Sequence, residues 1–156
     1  MNNFKVNISK GYGGDQIEDI IGYTTGVFDL FHIGHLNILQ RAKRNCDYLI
    51  VGVATDELTY QLKGRYPIIP FNERVEIIKS LRYVDEVVRE EVSDPMAAWY
   101  IHHFDVTFKG DDWKGTEKWN RLEKELAAVG AKVVYFPYTK HTSSTKLREV
   151  LDKILA

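Results

Sequence analysis

His32 and His35 stand three residues apart with Gly34 between them, inside the run Gly26-Val-Phe-Asp-Leu-Phe-His32-Ile-Gly34-His35. Three-residue spacing at the start of a helix puts two side chains on one side. Two imidazoles there suit a phosphate whose charge grows during a transfer reaction, because each offers an N–H donor. The run follows an apolar stretch of strand length, Ile21–Thr25, and opens a segment of helical period, Gly34–Arg44. A strand leading through a turn into a helix N-terminus offers a phosphate free backbone N–H groups and a favourable dipole. Gly34, lacking Cβ, lets a ligand come close to the backbone. The bland alternative is a pair of helix-cap histidines, one bonded to a carboxylate such as Asp29. Structural zinc is excluded, since two histidines and a distant Cys46 fall short of a tetrahedral set.

Other chemistry-bearing groups recur along the chain. Lys63-Gly64-Arg65 reads as a glycine-bearing basic loop able to swing onto a polyphosphate. Gly110-Asp111-Asp112-Trp113 follows an apolar run. Its carboxylates suit a water-held Mg²⁺, a ribose or a base, and its indole suits stacking. Ser143, Ser144 and Thr145 precede a final helical segment, where hydroxyls cap the helix or bind phosphate. Arg82 and Asp85 are placed to form a salt bridge at the corner before a strand.

These groups need a frame. Strand-length runs at Ile21–Thr25, Tyr48–Val53, Val84–Val88, Val106–Lys109 and Val133–Phe136 alternate with helical segments at Gly34–Arg44, Phe71–Leu81, Pro95–His103, Thr116–Val129 and Ser144–Leu155. That alternation predicts right-handed crossovers and a doubly wound α/β sheet, with ligands at the carboxyl ends of its strands. At 156 residues the chain fits one domain over 20–156, with residues 1–19 as a mobile extension. Hydrophobic residues make up 44%, enough for a core, and 21 Lys+Arg against 22 Asp+Glu argue against a dedicated nucleic-acid binder. A single cysteine permits no internal disulfide and suits a reducing, cytoplasmic setting.

The ten-residue block around His32 and His35 resembles the cytidylyltransferase branch of the Rossmann-like nucleotidyltransferases that carry a His-x-Gly-His motif. The resemblance runs in order from about Gly22 to Lys153. Gly110-Asp-Asp-Trp113 is similar to the string found in glycerol-3-phosphate cytidylyltransferases. The resemblance implies CMP transfer from CTP to a small phospho-alcohol, Mg²⁺ as cofactor and a homodimer, with no nucleic acid or membrane as partner. It implies catalytic roles for His32, His35 and Lys63. It implies nucleotide contacts from Thr25, Gly26, Phe28, Gly34, Gly110, Asp111, Asp112, Trp113, Lys140, Ser143, Ser144 and Thr145. Acceptor contacts fall to Asp29, Lys63, Arg65, Arg82 and Tyr138. Other phosphorylated alcohols, adenylyl transfer from ATP, and a nucleotide-binding module without turnover are the rival readings.

One loop departs from the family pattern. Where relatives carry Arg-Thr-Glu-Gly-Ile-Ser-Thr-Thr, this chain has Tyr138-Thr-Lys140-His-Thr-Ser143-Ser144-Thr145. Residues two apart on an extended segment share a side, so Lys140 is expected to supply the cation that position 138 has lost. Lys140→Ala should then lower kcat/KM for CTP about tenfold, the worth of one charge-assisted hydrogen bond. Unchanged CTP kinetics would make Lys140 a solvated surface residue.

Overall fold

The computed structural model describes residues 18–137 and 142–156. Residues 1–17, and Tyr138, Lys140 and their neighbours at 138–141, lie outside it.

The described chain runs β1 (Ile21–Gly26), α1 (Ile33–Lys43), β2 (Tyr48–Ala54), α2 (Asp56–Lys63), α3 (Phe71–Lys79), β3 (Glu86–Glu90), α4 (Pro95–His102), β4 (Val106–Gly110), α5 (Glu117–Ala128), β5 (Lys132–Phe136) and α6 (Ser144–Leu155), with a 3-10 turn at Asp111–Trp113 after β4. The five strands form one all-parallel sheet in the order β3-β2-β1-β4-β5. Strand order reverses at β1, so a crevice opens between the carboxyl ends of β1 and β4. This is the α/β Rossmann-like architecture that the alternating pattern implies. Among the described residues no helix is long and apolar enough to cross a membrane.

Each face of the sheet is covered. Leu39, Val51, Val53, Ile78, Val106, Phe108 and Phe136 form the core beneath α1 and α3. Tyr23, Ile50, Phe104 and Leu126 form a second core against α4 and α5. β2 is buried on both faces, which explains its nearly unbroken apolar run. Cys46 is buried and its thiol donates to the Ala42 carbonyl. Burial pushes this thiol up to about 11, so it packs rather than reacts.

Aspartates set the amino-terminal edge of the sheet. The carboxylate of Asp47 accepts from Ile20 N–H at 2.7 Å, that of Asp105 from Ile21 N–H at 2.8 Å, and that of Asp85 from Leu49 N–H at 2.7 Å. Each precedes a strand and satisfies a donor at the start of its neighbour, which fixes register there. The expected Arg82–Asp85 pair is corrected by this geometry. Asp85 faces Leu49 N–H and pairs with Lys43 at 2.6 Å. Arg82 lies exposed beside the Tyr83 ring. β3 likewise begins two residues later than the apolar run suggests, because Asp85 is committed to this corner.

A helix that the apolar pattern did not reveal precedes the basic tripeptide. Thr55 caps α2 by accepting from Leu58 N–H at 3.0 Å, Asp56 and Glu57 favour its first turn, and Gly64 ends it at φ +70°. Lys63 therefore belongs to a helix end, and only Gly64 and Arg65 lie in the loop.

The most deeply buried large side chain is Arg74 on α3, with no exposed surface. It donates to the carbonyls of Ile69 (2.9 Å), Val27 (2.7 Å) and Ala54 (2.8 Å), and to Asp56 Oδ1 at 2.6 Å. Removing a buried charge-assisted hub leaves its acceptors unpaired. Arg74→Met should destabilise the fold by about 3–5 kcal/mol in urea unfolding. Asp56→Asn should cost less, since the three carbonyl bonds persist.

Candidate functional site

The crevice at β1 and β4 forms a cavity of about 290 Å³. Thr24, Thr25, His32, Gly34, His35, Ile38, Phe108, Lys109, Gly110, Asp112, Trp113, Phe136, Thr142 and Ser143 line it, with Pro137. A smaller recess adjoins the same sheet edge, lined among others by Lys63, Arg65, Ser144, Thr145 and Arg148.

The two histidines cap α1. Gly34 N–H donates to His32 Nδ1 at 3.0 Å, and His32 N–H donates to His35 Nδ1 at 3.2 Å. Together these make a reciprocal capping box built from imidazoles in place of the usual hydroxyl and carboxylate. Because each Nδ1 accepts, the neutral ring carries its proton on Nε2. Each ring thus keeps one N–H donor for the cavity that both rings line. Their centroids are 3.9 Å apart. Burial, with the neighbouring His32 and Lys63 charges, pushes His35 down to about 4, against a pull upward from Asp29. Burial also lowers His32. Both are neutral hydrogen-bond donors near pH 7. The cap thus uses Nδ1 of each ring and leaves the opposite nitrogen available to a ligand.

Gly34 has a reason beyond ligand approach. A Cβ there would lie 2.8 Å from His32 Cε1, so any side chain would displace the cap. The loop between β1 and α1 is strained: Phe28 and Leu30 have φ of 55° and 50°, a conformation that L residues with side chains avoid.

The structure shows the protein surroundings of three residues expected to contact ligand, Asp29, Phe28 and Arg82. Asp29 is turned inward. It accepts from Ile68 N–H (2.9 Å), Ile69 N–H (2.8 Å) and Arg148 (3.1 Å). Burial works to raise its pKa, but these donors hold it below the usual carboxylate range. These contacts tie the loop before α3 and the helix α6 to the first junction, and Asp29 also lines the recess beside Lys63 and Arg65. Phe28 is 6% exposed and sits in the core, edge-on to His35 at 5.5 Å, where it positions the imidazole. Arg82 lies at the amino-terminal edge of the sheet, before β3, away from the cavity at the carboxyl edge.

The hydroxyls at α6 divide their work. Ser143 caps the helix, accepting from Lys146 N–H at 3.1 Å, and Ser144 Oγ donates to the Asp29 carbonyl at 2.5 Å. Ser144 and Thr145 share the recess with three cations, Lys63, Arg65 and Arg148. Burial and the charges of Arg65 and Arg148 lower Lys63, opposed by Asp29. That concentration of positive charge favours an anion. A Cβ at Gly110 would lie 2.6 Å from Asp112 Oδ1, so a side chain there would turn this carboxylate aside. Asp112 and Trp113 reach the cavity, whereas Asp111 opens the 3-10 turn outside its lining.

Arg148, Lys109 and Glu90 escaped sequence reasoning. Arg148 follows Ser144 by four residues, one helical turn, and that spacing was the available signal. Nothing local marks Lys109 or Glu90, which the sheet alone brings to this edge.

Comparison with known proteins agrees with this geometry. Residues 23–150 match the family model described as "Cytidylyltransferase-like". The chain is 39% identical over 127 residues to glycerol-3-phosphate cytidylyltransferase of Bacillus subtilis, covering 81% of this chain and 92% of that protein. It is 34% identical to FAD synthase of Pyrococcus abyssi, covering 91% and 95%. It is 33% identical to ethanolamine-phosphate cytidylyltransferase of Dictyostelium discoideum, covering 96% of this chain and 41% of that protein. Among solved structures, a lipopolysaccharide core biosynthesis protein from Thermoplasma volcanium superposes with TM-score 0.66 at 30% identity, over 80% of this chain and 100% of that one.

The His35 environment has a measurable consequence. Below pH 6.5 the unfolded chain's imidazole binds a proton that the folded ring refuses until about pH 4. The His35 contribution to stability is therefore lost as pH falls across that window. NMR titration should show His35 neutral down to about pH 4. A midpoint at the ordinary histidine value would contradict the buried cap.

Proposed function

The chain belongs to the cytidylyltransferase-like family and is a nucleotidyltransferase, and on that premise we propose that it transfers CMP from CTP to the phosphate of a small phospho-alcohol, glycerol 3-phosphate fitting best. The observation that carries this reading is the histidine pair, with both Nδ1 atoms committed to the helix and both Nε2–H groups left for a phosphate at the switch-point crevice.

In the proposed reaction an acceptor phosphate oxygen attacks the α-phosphorus of CTP, that bond forms, and the bond to the bridging oxygen of pyrophosphate breaks. A phosphate monoester is already nucleophilic, so no general base is required. Catalysis consists of holding the reactants in line and meeting the growing charge. His32 and His35 donate to the equatorial oxygens. Lys63 and Arg65, joined by Arg148, bind substrate phosphate beside Ser144 and Thr145. Gly110, Asp112 and Trp113 hold the nucleoside. Lys140 and Tyr138 keep the nucleotide and acceptor roles proposed for them from sequence.

Among the described residues no group of three or more His, Cys, Asp or Glu side chains is placed to hold a metal. The donor set fits a Mg²⁺ carried on the nucleotide's phosphates, with Asp112 as the nearby carboxylate. Such an ion would neutralise charge on the departing pyrophosphate.

A second reading is adenylyl transfer, favoured by the similarity to FAD synthases. Incubation with CTP, Mg²⁺ and glycerol 3-phosphate should yield CDP-glycerol and pyrophosphate, with kcat/KM for CTP well above that for ATP. Equal or better use of ATP would select the second reading. His32→Ala and His35→Ala should each lower kcat about 10²-fold or more, as for loss of a transition-state donor.

A further inference from the structure

Three polar side chains at the carboxyl edge of the sheet are left unused by the phosphate chemistry. Thr25 and Lys109 face the same side of the sheet. Tyr23 pairs with Thr107 across β1 and β4, and Thr25 and Lys109 come two residues after them on their own strands. Thr25 pairs with Gly52, and Glu90 with Ala54, across the other flank. β2 thus separates Thr25 from Glu90 by only a hydrogen and a methyl. A Cβ on Gly52 would lie 2.6 Å from Tyr23 Oη, so the gap depends on glycine. Across it the Thr25 hydroxyl donates to Glu90 Oε2.

Neither charged group is closely paired. Among the described residues Glu90 and Lys109 take part in no salt bridge. Lys109 Nζ lies 4.8 Å from the Trp113 ring centre and 5.3 Å from that of Trp119. Burial pushes Glu90 up to about 7, against the pull of Lys109. Burial lowers Lys109 against Asp112 and Glu90. Thr25 and Lys109 line the same cavity as the two histidines.

A carboxylate and an ammonium held apart on one face, with a hydroxyl between them, match a ligand group that both donates and accepts. An alcohol does both. A primary ammonium can donate to Glu90 but cannot accept from Lys109, which it meets as a like charge, and a quaternary ammonium donates nothing. A carboxylate only accepts and meets Glu90 as a like charge.

We propose that Glu90 and Lys109, with Thr25 between them, read the free hydroxyl of a polyol phosphate and discriminate against amino-alcohol phosphates. The inference rests on the phospho-alcohol reading above and specifies its substrate class.

Steady-state kinetics with glycerol 3-phosphate, ribitol 5-phosphate and phosphoethanolamine tests it. The wild type should favour a polyol phosphate about tenfold or more in kcat/KM, and the better of the two polyols sets the chain length. Glu90→Gln and Lys109→Met should each raise the polyol KM about tenfold, and Glu90→Gln should leave the KM for CTP within about twofold. Lys109→Met should also shift preference toward phosphoethanolamine. Thermal melts report folding. Should Glu90→Gln melt early, Lys109→Met still decides the matter, because loss of packing does not exchange one acceptor for another. Wild-type preference for phosphoethanolamine, or a Glu90→Gln variant that changes the KM for CTP instead, would overturn the inference. If the wild type makes no CDP-alcohol from any of the three, the parent reading falls with it. If it makes CDP-polyol and the variants behave as wild type, only the specificity assignment falls.

Discussion

A buried guanidinium holds the carboxyl edge of this sheet together. Arg74 reaches the turn after β1 through Val27, the end of β2 through Ala54, the start of α2 through Asp56, and the loop before α3 through Ile69. A planar group with donors in a fixed fork can bridge several carbonyls that a lysine could not reach together. Those carbonyls end strands or begin loops, so they lack ladder partners of their own and need a donor. Asp29 completes the clamp from the other side. It takes Ile68 and Ile69 N–H and draws Arg148 of α6 toward the same junction. The loop carrying His32 is thereby fixed at both ends, which lets Phe28 and Leu30 keep left-handed backbone angles.

The site uses the same atoms for structure and for chemistry. Capping α1 with imidazole nitrogens satisfies helix donors, selects the tautomer and aims the remaining N–H, all through one pair of hydrogen bonds. Burial then keeps His35 neutral over the working range. A neutral donor pre-aligned in a sheltered site needs no reorganisation when charge develops, which is the condition for effective electrostatic stabilisation. The recess with Lys63, Arg65 and Arg148 adds net positive charge beside this pair, while Lys109 and Thr25 line the histidine cavity and Glu90 is bonded to Thr25.

Local patterning carried most of the architecture. Alternating apolar runs and helical periods specified five parallel strands, and the placement of Gly26 to His35 between a strand and a helix located the site. Burial on both faces makes strand runs continuous, and caps and glycines leave local marks. The miss at α2 was avoidable, since Thr55, Asp56, Glu57 and Gly64 are ordinary helix-end signals around a short, weakly apolar segment. The protein partners of Asp29, Phe28 and Arg82 were not legible for a different reason. A carboxylate, a ring or a guanidinium near a motif reads the same in sequence whether it faces ligand or protein. Only the neighbours decide, and those neighbours are 39 or more residues away for Asp29.

The sequence by itself determined the fold class, the family resemblance and the histidine pair, because each depends on residues close together in the chain. The tertiary structure alone decided that Asp29 and Arg74 are clamps, that His35 is neutral, and that Arg148 joins Lys63 and Arg65 in one recess. It alone brought Thr25, Glu90 and Lys109 to one face. Their positions span 84 residues, and parallel pairing through β1, β2, β3 and β4 sets them side by side. Burial, charge coupling and register are properties of the packed sheet, and no spacing within the chain encodes them directly.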